Sequence, residues 1–199
     1  STLWIDEAEQ VYISQWFSTG AFEVQPPLFS WIHYAAFKLT GTNIFFIEVF
    51  KILIITLTYR GIYKIISLAS GNHGPTVVLC MLSLPFILQL WDETFTRSNT
   101  IIVTFASVWA FYMVLKITET PNWKNYLLLG LFLGAGFLSK YTIVLGMASL
   151  FICGLTIPKT RAVILSPLFL VTIFTFLLVI APHAWWLVEN ILQSKSALD

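Results

Sequence analysis

Few side chains in this 199-residue chain can do chemistry, and those that can stand at the edges of apolar runs. Asp6-Glu7 opens a short amphipathic segment. A carboxylate there serves as a base if a hydroxyl comes within hydrogen-bond reach and partial burial tunes its pKa. The spacing Asp6-x-x-Glu9 also fits a capping box, in which both side chains only satisfy free backbone donors. Lys140 interrupts an otherwise apolar stretch from Tyr126 to Ile157. The run before it, Asn125–Ser139, extends only about 22 Å as a helix, so its end falls below the headgroups of a bilayer. An ammonium there either snorkels or meets an anion, and a lysine holds a phosphate as a point charge. Arg97 follows the acidic pair Asp92-Glu93. It can clamp a phosphate through two parallel hydrogen bonds or pair locally with Glu93. His183, between Pro182 and Trp185-Trp186, is a substrate contact or a member of an interfacial aromatic belt.

Other patterns exclude chemistry. The run Gly130-x-x-x-Gly134-x-Gly136 lacks the strand context of a nucleotide-binding turn and reads as close helix packing in a bilayer. No cluster has convincing metal-ligand spacing; a divalent cation between Asp6 or Glu7 and Asp92-Glu93 is the one cofactor the acidic residues would admit. Cys80 and Cys153 lie in apolar runs and are expected to be buried, structural thiols.

The elements that position these residues follow from composition. The chain is 57% hydrophobic and 11% charged, where a soluble domain carries about 25% charged residues. A mean hydropathy of +0.81, with 17 Phe and 8 Trp, excludes disorder, a secreted disulfide scaffold and an ordinary cytosolic enzyme. The net charge of +1 leaves no basic surface for nucleic acid. What remains is an all-α, polytopic transmembrane helical bundle. Its expected membrane segments are Ile44–Ile66, Pro75–Trp91, Asn99–Ile117, Asn125–Ser139, Tyr141–Ile157 and Ala162–Trp186. Several are short, which suits broken or tilted helices. Two shorter segments precede them. Asp6–Ser18 carries Ala8, Val11, Tyr12 and Trp16 on one face and Asp6, Gln10 and Ser14 on another. Leu28–Thr40 starts after Pro26-Pro27 and stops at Gly41. Both are expected to be interfacial helices of a first outer loop. The chain opens without a methionine and stops after a polar stretch, so it is expected to be a piece of a larger integral protein.

Charge orients the bundle. With the Asp6 region outside, the inner connections carry Arg60, Lys64, Lys116, Lys124, Lys159 and Arg161, the positive-inside bias. The same alternation brings Asp6-Glu7, the Asp92–Arg97 segment, Ser139-Lys140 and His183 to one outer face. Carboxylates and cations from separate connections thus converge.

Five segments resemble a known family. Trp4-Ile5-Asp6-Glu7-Ala8, Gln25-Pro26-Pro27-Leu28-Phe29-Ser30-Trp31 and Phe37-x-Leu39-x-Gly41 resemble the first outer loop of family 39 glycosyltransferases. These are the dolichyl-phosphate-mannose protein mannosyltransferases and the aminoarabinose transferase-like enzymes, with the GT-C fold. Leu138-Ser139-Lys140-Tyr141-Thr142 is similar to that family's Ser-Lys-Tyr-Thr signature. Pro182-His183-x-x-Trp186 with Glu189-Asn190 is similar to its Pro-(Asn/His)-x-x-Trp segment. The resemblance implies a membrane enzyme that moves a sugar from a polyprenyl-phosphate donor to an acceptor on the extracytoplasmic side, with inversion. It implies Asp6 as the acidic residue that activates or positions the acceptor, with Glu7 its neighbour. It implies Lys140 near the lipid phosphate, with Tyr141 and Arg97 assisting. Gln25, Pro26, Pro27, Asp92, Glu93 and His183 then line the substrate cavity.

One departure bears on the cation. Thr96-Arg97-Ser98-Asn99 stands where bacterial members often carry Thr-Pro-Asp-Ala, so the second family carboxylate is missing or is replaced by Asp92 or Glu93. Metal dependence stays open. The family has more spans, so an upstream helix and the C-terminal half are expected to lie outside this chain. On this reading residues 1–43 are an outer catalytic loop, 44–186 about six membrane segments and 187–199 an outer polar loop. The partners are a polyprenyl-phosphate sugar and membrane lipids, with no nucleic acid and the acceptor unspecified. The expected location is a bacterial inner membrane, with the site facing the periplasm. The rival is a multi-pass transporter or flippase, which pairs ionisable residues near the midplane. Glu48 and Lys51, three apart, are its best support, although a local helical ion pair explains them equally.

Overall fold

The computed structural model describes residues 5–20, 26–71, 74–83 and 98–196, with side chains over 8–20, 26–71, 76–81 and 100–190. Every regular element among them is a helix: α1 Ile5–Ile13, α2 Leu28–Thr40, α3 Ile44–Ala69, α4 Gly74–Ser83, α5 Ser98–Glu119, α6 Trp123–Phe137, α7 Ile143–Thr156, α8 Pro158–Ile164 and α9 Phe169–Ser196. Local chemistry sets several of these limits. Asn43 caps α3 by accepting from the Phe45 amide at 2.9 Å. Asn122 caps α6 by accepting from the Asn125 amide at 3.1 Å. Gly41, at φ +76°, ends α2 while its amide still donates to the Phe37 carbonyl. Only glycine reaches that backbone conformation without cost, so the helix stops there.

The centre of the bundle is α6. On one face Gly130 and Gly134 press against α9. A Cβ at Gly130 would lie 2.5 Å from the Thr172 carbonyl oxygen and 2.8 Å from Thr175 Cβ, and one at Gly134 would lie 2.7 Å from Val179. Thr172 uses the close approach to donate its hydroxyl to the Tyr126 carbonyl at 2.9 Å. Lipid is as apolar as leucine, so such backbone proximity and interhelical hydrogen bonding, rather than water exclusion, hold membrane helices together. On its other face α6 meets α5, where Trp109 stacks on Phe132 at 5.7 Å and 22°. Trp109 also donates to the Leu57 carbonyl of α3 at 3.0 Å. The layers therefore run α9, α6, α5, α3. Helices α6 and α9 ascend together, α5 descends beside them, and α3 runs parallel to α5.

This topology gives the bundle two distinct ends. At one, Lys64 and Lys116 both reach the Tyr112 ring, at 5.4 and 6.0 Å. Tyr126 donates to the Val163 carbonyl at 3.3 Å near that end. At the other lie the N-terminus of α2, the turn after α6 and the middle of α9. The basic residues assigned to inner connections thus gather away from Lys140 and His183.

Five of the six expected membrane runs each overlap one helix, Pro75–Trp91 being described only as far as Ser83, while Ala162–Trp186 takes in the end of α8, a break and most of α9. Among the described residues, however, two helices are long and apolar enough to cross a membrane, Thr100–Glu119 and Phe169–Asn190, or three if α7 and α8 form one broken span. That pair corrects the expected Ala162–Trp186 run. The chain bends by 118° between α7 and α8, and α9 starts only at Phe169. The cause is proline. Ile157, before Pro158, is extended at φ −95° and ψ 119°, as the proline ring demands of its predecessor. Pro167 then separates α8 from α9, because it cannot supply the amide a continuing helix needs.

Two further expectations change. Cys153 is exposed on α7, not buried, while Cys80 is half-buried. A small apolar thiol suits lipid as well as a core, so an apolar run does not assign it to the interior. Glu48 and Lys51 form an ion pair at 3.8 Å within α3, with the lysine buried and the carboxylate exposed.

Candidate functional site

The first outer segment docks onto the bundle through α2. Its core side, Phe29 and Phe37, packs with Ile47 of α3 and Ile102 of α5. Within that cluster His33 is fully buried, and its Nδ1 donates to the Phe29 carbonyl at 2.8 Å. Nδ1 therefore carries the proton, and Nε2 is left without a hydrogen-bond partner. The rings of Phe29, Phe37, Phe46 and Phe50 surround it. Burial pushes the His33 pKa down to about 4, with the Phe29 carbonyl opposing and nearby Lys51 adding to the fall.

Helix α1 packs against α2 with its polar side. Gln10 and Ser14 are buried, and Gln10 Oε1 accepts from the Ser30 hydroxyl at 3.0 Å. Tyr12 and Trp16 point outward, 65% and 53% exposed. The amphipathic expectation thus held for the helix, but the aromatic face is turned away from the bundle. At a membrane interface an aromatic face belongs with lipid, and the polar face is free to make hydrogen bonds to protein.

A backbone bond also ties this segment to the end of α6. The Leu28 amide, at the first turn of α2, donates to the Leu138 carbonyl at 3.0 Å. Helix starts leave amides without partners and helix ends leave carbonyls, so the start of α2 and the end of α6 satisfy each other. Pro26 and Pro27 are buried beside this contact. The turn that follows is tight. The amides of Ser139 and Lys140 both donate to the Gly136 carbonyl at 3.1 Å. A Cβ at Gly136 would displace the end of the Ile143 side chain.

That turn aims two functional groups. Lys140 Nζ lies 3.4 Å from Thr100 Oγ1, near the start of α5. At that length the hydroxyl is a weak partner. Among the described residues no carboxylate pairs with this ammonium. Tyr141 Oη lies 2.7 Å from His183 Nε2. His183 is fully buried, and its Nδ1 lies 3.0 Å from the Thr19 carbonyl. The planes of Tyr141, His183 and Trp186 stack in series, inclined by 18° and 11°. Trp186 in turn covers Gly20, leaving no space for a Cβ.

Of the expected site residues, the structure brings Pro26, Pro27, Lys140, Tyr141 and His183 to one end of the bundle. Asp6 and Glu7 belong to α1 on that same docked segment, but their side chains lie outside the described residues, as do Gln25, Asp92, Glu93 and Arg97. Among the described residues no three His, Cys, Asp or Glu side chains group to hold a metal. Sequence reasoning missed Thr19, Thr100, Gln10 and Ser30. Thr19 acts through its backbone, which no side-chain pattern betrays. Gln10 and Ser30 carried only a weak signal, polar positions on otherwise apolar helices.

Comparison with known proteins places this arrangement. Residues 24–186 match the family of dolichyl-phosphate-mannose-protein mannosyltransferases. The lipopolysaccharide core galacturonosyltransferase RgtA of Rhizobium johnstonii is 30% identical over 202 residues, covering 98% of this chain and 39% of the relative. RgtB of the same organism, also named a lipopolysaccharide core galacturonosyltransferase, is 27% identical over 188 residues, covering 94% and 38%. The chain therefore spans about two fifths of the length of the curated relatives it matches. No solved structure matches it. The matched region contains the Pro26-Pro27 start of α2, the Lys140-Tyr141 turn and His183, and the chain belongs to the dolichyl-phosphate-mannose-protein mannosyltransferase family.

Proposed function

We propose that the whole protein is an integral membrane glycosyltransferase. It moves a sugar from a polyprenyl-phosphate donor to an acceptor on the extracytoplasmic side of a bacterial inner membrane, with inversion at the anomeric carbon. The observation that carries this reading is the Leu28–Leu138 junction, which joins the docked outer segment to the turn bearing Lys140.

The chemistry asks for one base and one or more cations. Displacing a phosphate from an anomeric carbon passes through an oxocarbenium-like state. Phosphate leaves readily, so the greater need is for positive charge that offsets what develops on it. Lys140 serves that need, with Arg97 as a second cation. Asp6 is the base that takes the acceptor's proton. It precedes Gln10 and Ser14 by one and two helical turns, and both of those are buried. Glu7 assists beside it. Gln25, Pro26, Pro27, Asp92, Glu93 and His183 shape the cavity, with 1–43 as the catalytic loop, 44–186 as the membrane segments and 187–199 as an outer polar loop. A divalent cation on Asp6 or Glu7 and Asp92-Glu93 is the one metal site this reading admits.

The relatives' names suggest which substrates to try first: a polyprenyl-phosphate uronic acid as donor and lipopolysaccharide core as acceptor. The test is a transfer assay on the intact protein with a panel of radiolabelled polyprenyl-phosphate sugars. Label should reach the acceptor from one of them. Flipping of the intact lipid, with no transfer from any donor, would favour a transporter instead.

A further inference from the structure

At the end of the bundle away from Lys140, two lysines on different helices converge on one ring. Lys64 of α3 and Lys116 of α5 hold their ammonium groups 5.4 and 6.0 Å from the centre of the Tyr112 ring. Tyr112 is buried, while both lysines are half-buried. One aromatic ring is a weak match for two cations, and like charges drawn to it repel each other. Among the described residues neither ammonium meets a carboxylate at ion-pair distance. Glu119, on the same helix as Lys116, is exposed and forms no ion pair with it. Positive charge gathered without its counter-charge is a place for an anion.

Helix geometry explains the convergence. Side chains lean toward the N-terminus of their helix. Helices α3 and α5 both run from the Lys140 end toward the Tyr112 end, so their lysines lean back into the bundle. Lys116 folds over Tyr112, one turn earlier on its own helix, and Lys64 reaches the ring across the α3–α5 seam.

Depth then selects the anion. The span Thr100–Glu119 extends about 30 Å as a helix, which matches the hydrocarbon core. Lys116 lies within its last turn, so the ammonium stands near the boundary between acyl chains and headgroups. Tyr63 and Trp123, both exposed at the same end, are of the aromatic types that favour that boundary. The anion at this depth is a lipid phosphodiester. A free phosphate would have to shed its hydration to reach half-buried ammonium groups. We propose that the α3–α5 seam binds the headgroup of an anionic phospholipid, with Lys64 and Lys116 on its phosphate and Tyr112 holding both lysines in place. The lipid is bound here as a constituent of the bilayer, not as a sugar donor, so the site is independent of the transfer reaction.

The test is a lipid titration of the full-length protein in detergent, followed by native mass spectrometry. Phosphatidylglycerol is compared with phosphatidylethanolamine of the same acyl chains, and with glycerophosphoglycerol, the same phosphodiester without chains. Wild type should bind phosphatidylglycerol about 10-fold or more tighter than either. A lysine beside an anionic headgroup is worth about 5-fold, so Lys64→Gln with Lys116→Gln should weaken that binding about 25-fold. Lys124→Gln with Lys159→Gln removes the same charge from the same end and should bind like wild type. Equal loss in both double variants means diffuse attraction to a basic surface and overturns the proposal, as does no loss in the Lys64 and Lys116 variant. Glycerophosphoglycerol binding as tightly as phosphatidylglycerol overturns the lipid as occupant. If a glutamine variant fails to fold, the wild-type comparison still tests the site, because equal binding of the two phospholipids overturns it.

Discussion

The Leu28 amide donates to the Leu138 carbonyl at 3.0 Å, so one hydrogen bond closes a loop of 110 residues between two helix termini. It fixes the outer segment against the turn that carries Lys140 and Tyr141. The carbonyl is available because α6 ends there, and the amide because α2 begins there. Neither group has a partner inside its own helix. The bond brings the start of α2 and the turn that carries Lys140 together at one end of the bundle.

If Asp6 takes the acceptor's proton, Asp6→Asn in the intact protein should lower sugar transfer by about 10²–10⁴-fold while membrane insertion is unchanged. The check is a transfer assay beside a protease-protection map of topology. Wild-type turnover by the variant would remove Asp6 from the mechanism.

Lys140→Ala removes a charge-assisted hydrogen bond worth about 1.5–3 kcal/mol. Donor affinity should fall by about 10–100-fold, measured by titration with a polyprenyl-phosphate sugar. An affinity left intact would mean that the ammonium only snorkels past Thr100.

The α6–α9 contact admits no side chain at position 130. Gly130→Val should cost about 1–3 kcal/mol, because the added methyls meet the Thr172 carbonyl and Thr175. A lower melting temperature in detergent would be the sign. Gly146, with open space around its missing Cβ, gives the control, and Gly146→Ala should melt like wild type.

His33 makes docking of α2 sensitive to acid. Its pKa falls from 6.5 when exposed to about 4 in the fold. The undocked form thus binds more protons between these values, and stability rises with pH across that window. Stabilisation of the docked segment is full above about pH 6.5 and falls by up to about 3 kcal/mol as pH drops toward 4. Amide exchange over α2 should quicken accordingly. His33→Phe fits the same aromatic cage and should flatten the dependence; an unchanged pH profile in that variant would assign the effect elsewhere.

Several features were legible in sequence because they depend on a few consecutive residues. The limits of α2 follow from Pro26-Pro27 and Gly41, which constrain φ within one or two positions. The Gly130 and Gly134 spacing marks a helix face where two backbones can approach. The motif turn Ser139-Lys140-Tyr141 and the Pro182-His183 segment were visible as candidate chemistry. The break at Pro158 was legible as well, since the expected run Tyr141–Ile157 stops before it, but the break at Pro167 was masked by the apolar residues on either side.

The tertiary structure decided which way each face turns and what each polar group meets. In a bilayer an apolar side chain is as content against lipid as against a neighbouring helix, so hydropathy alone could not tell that Tyr12 faces outward or that Cys153 is exposed. Nor could it join His183 to Tyr141, 42 residues away, and to the Thr19 carbonyl, 164 residues away. Helix ends answer to near neighbours along the chain. The partner of a buried polar group answers to whichever distant carbonyl the packing delivers.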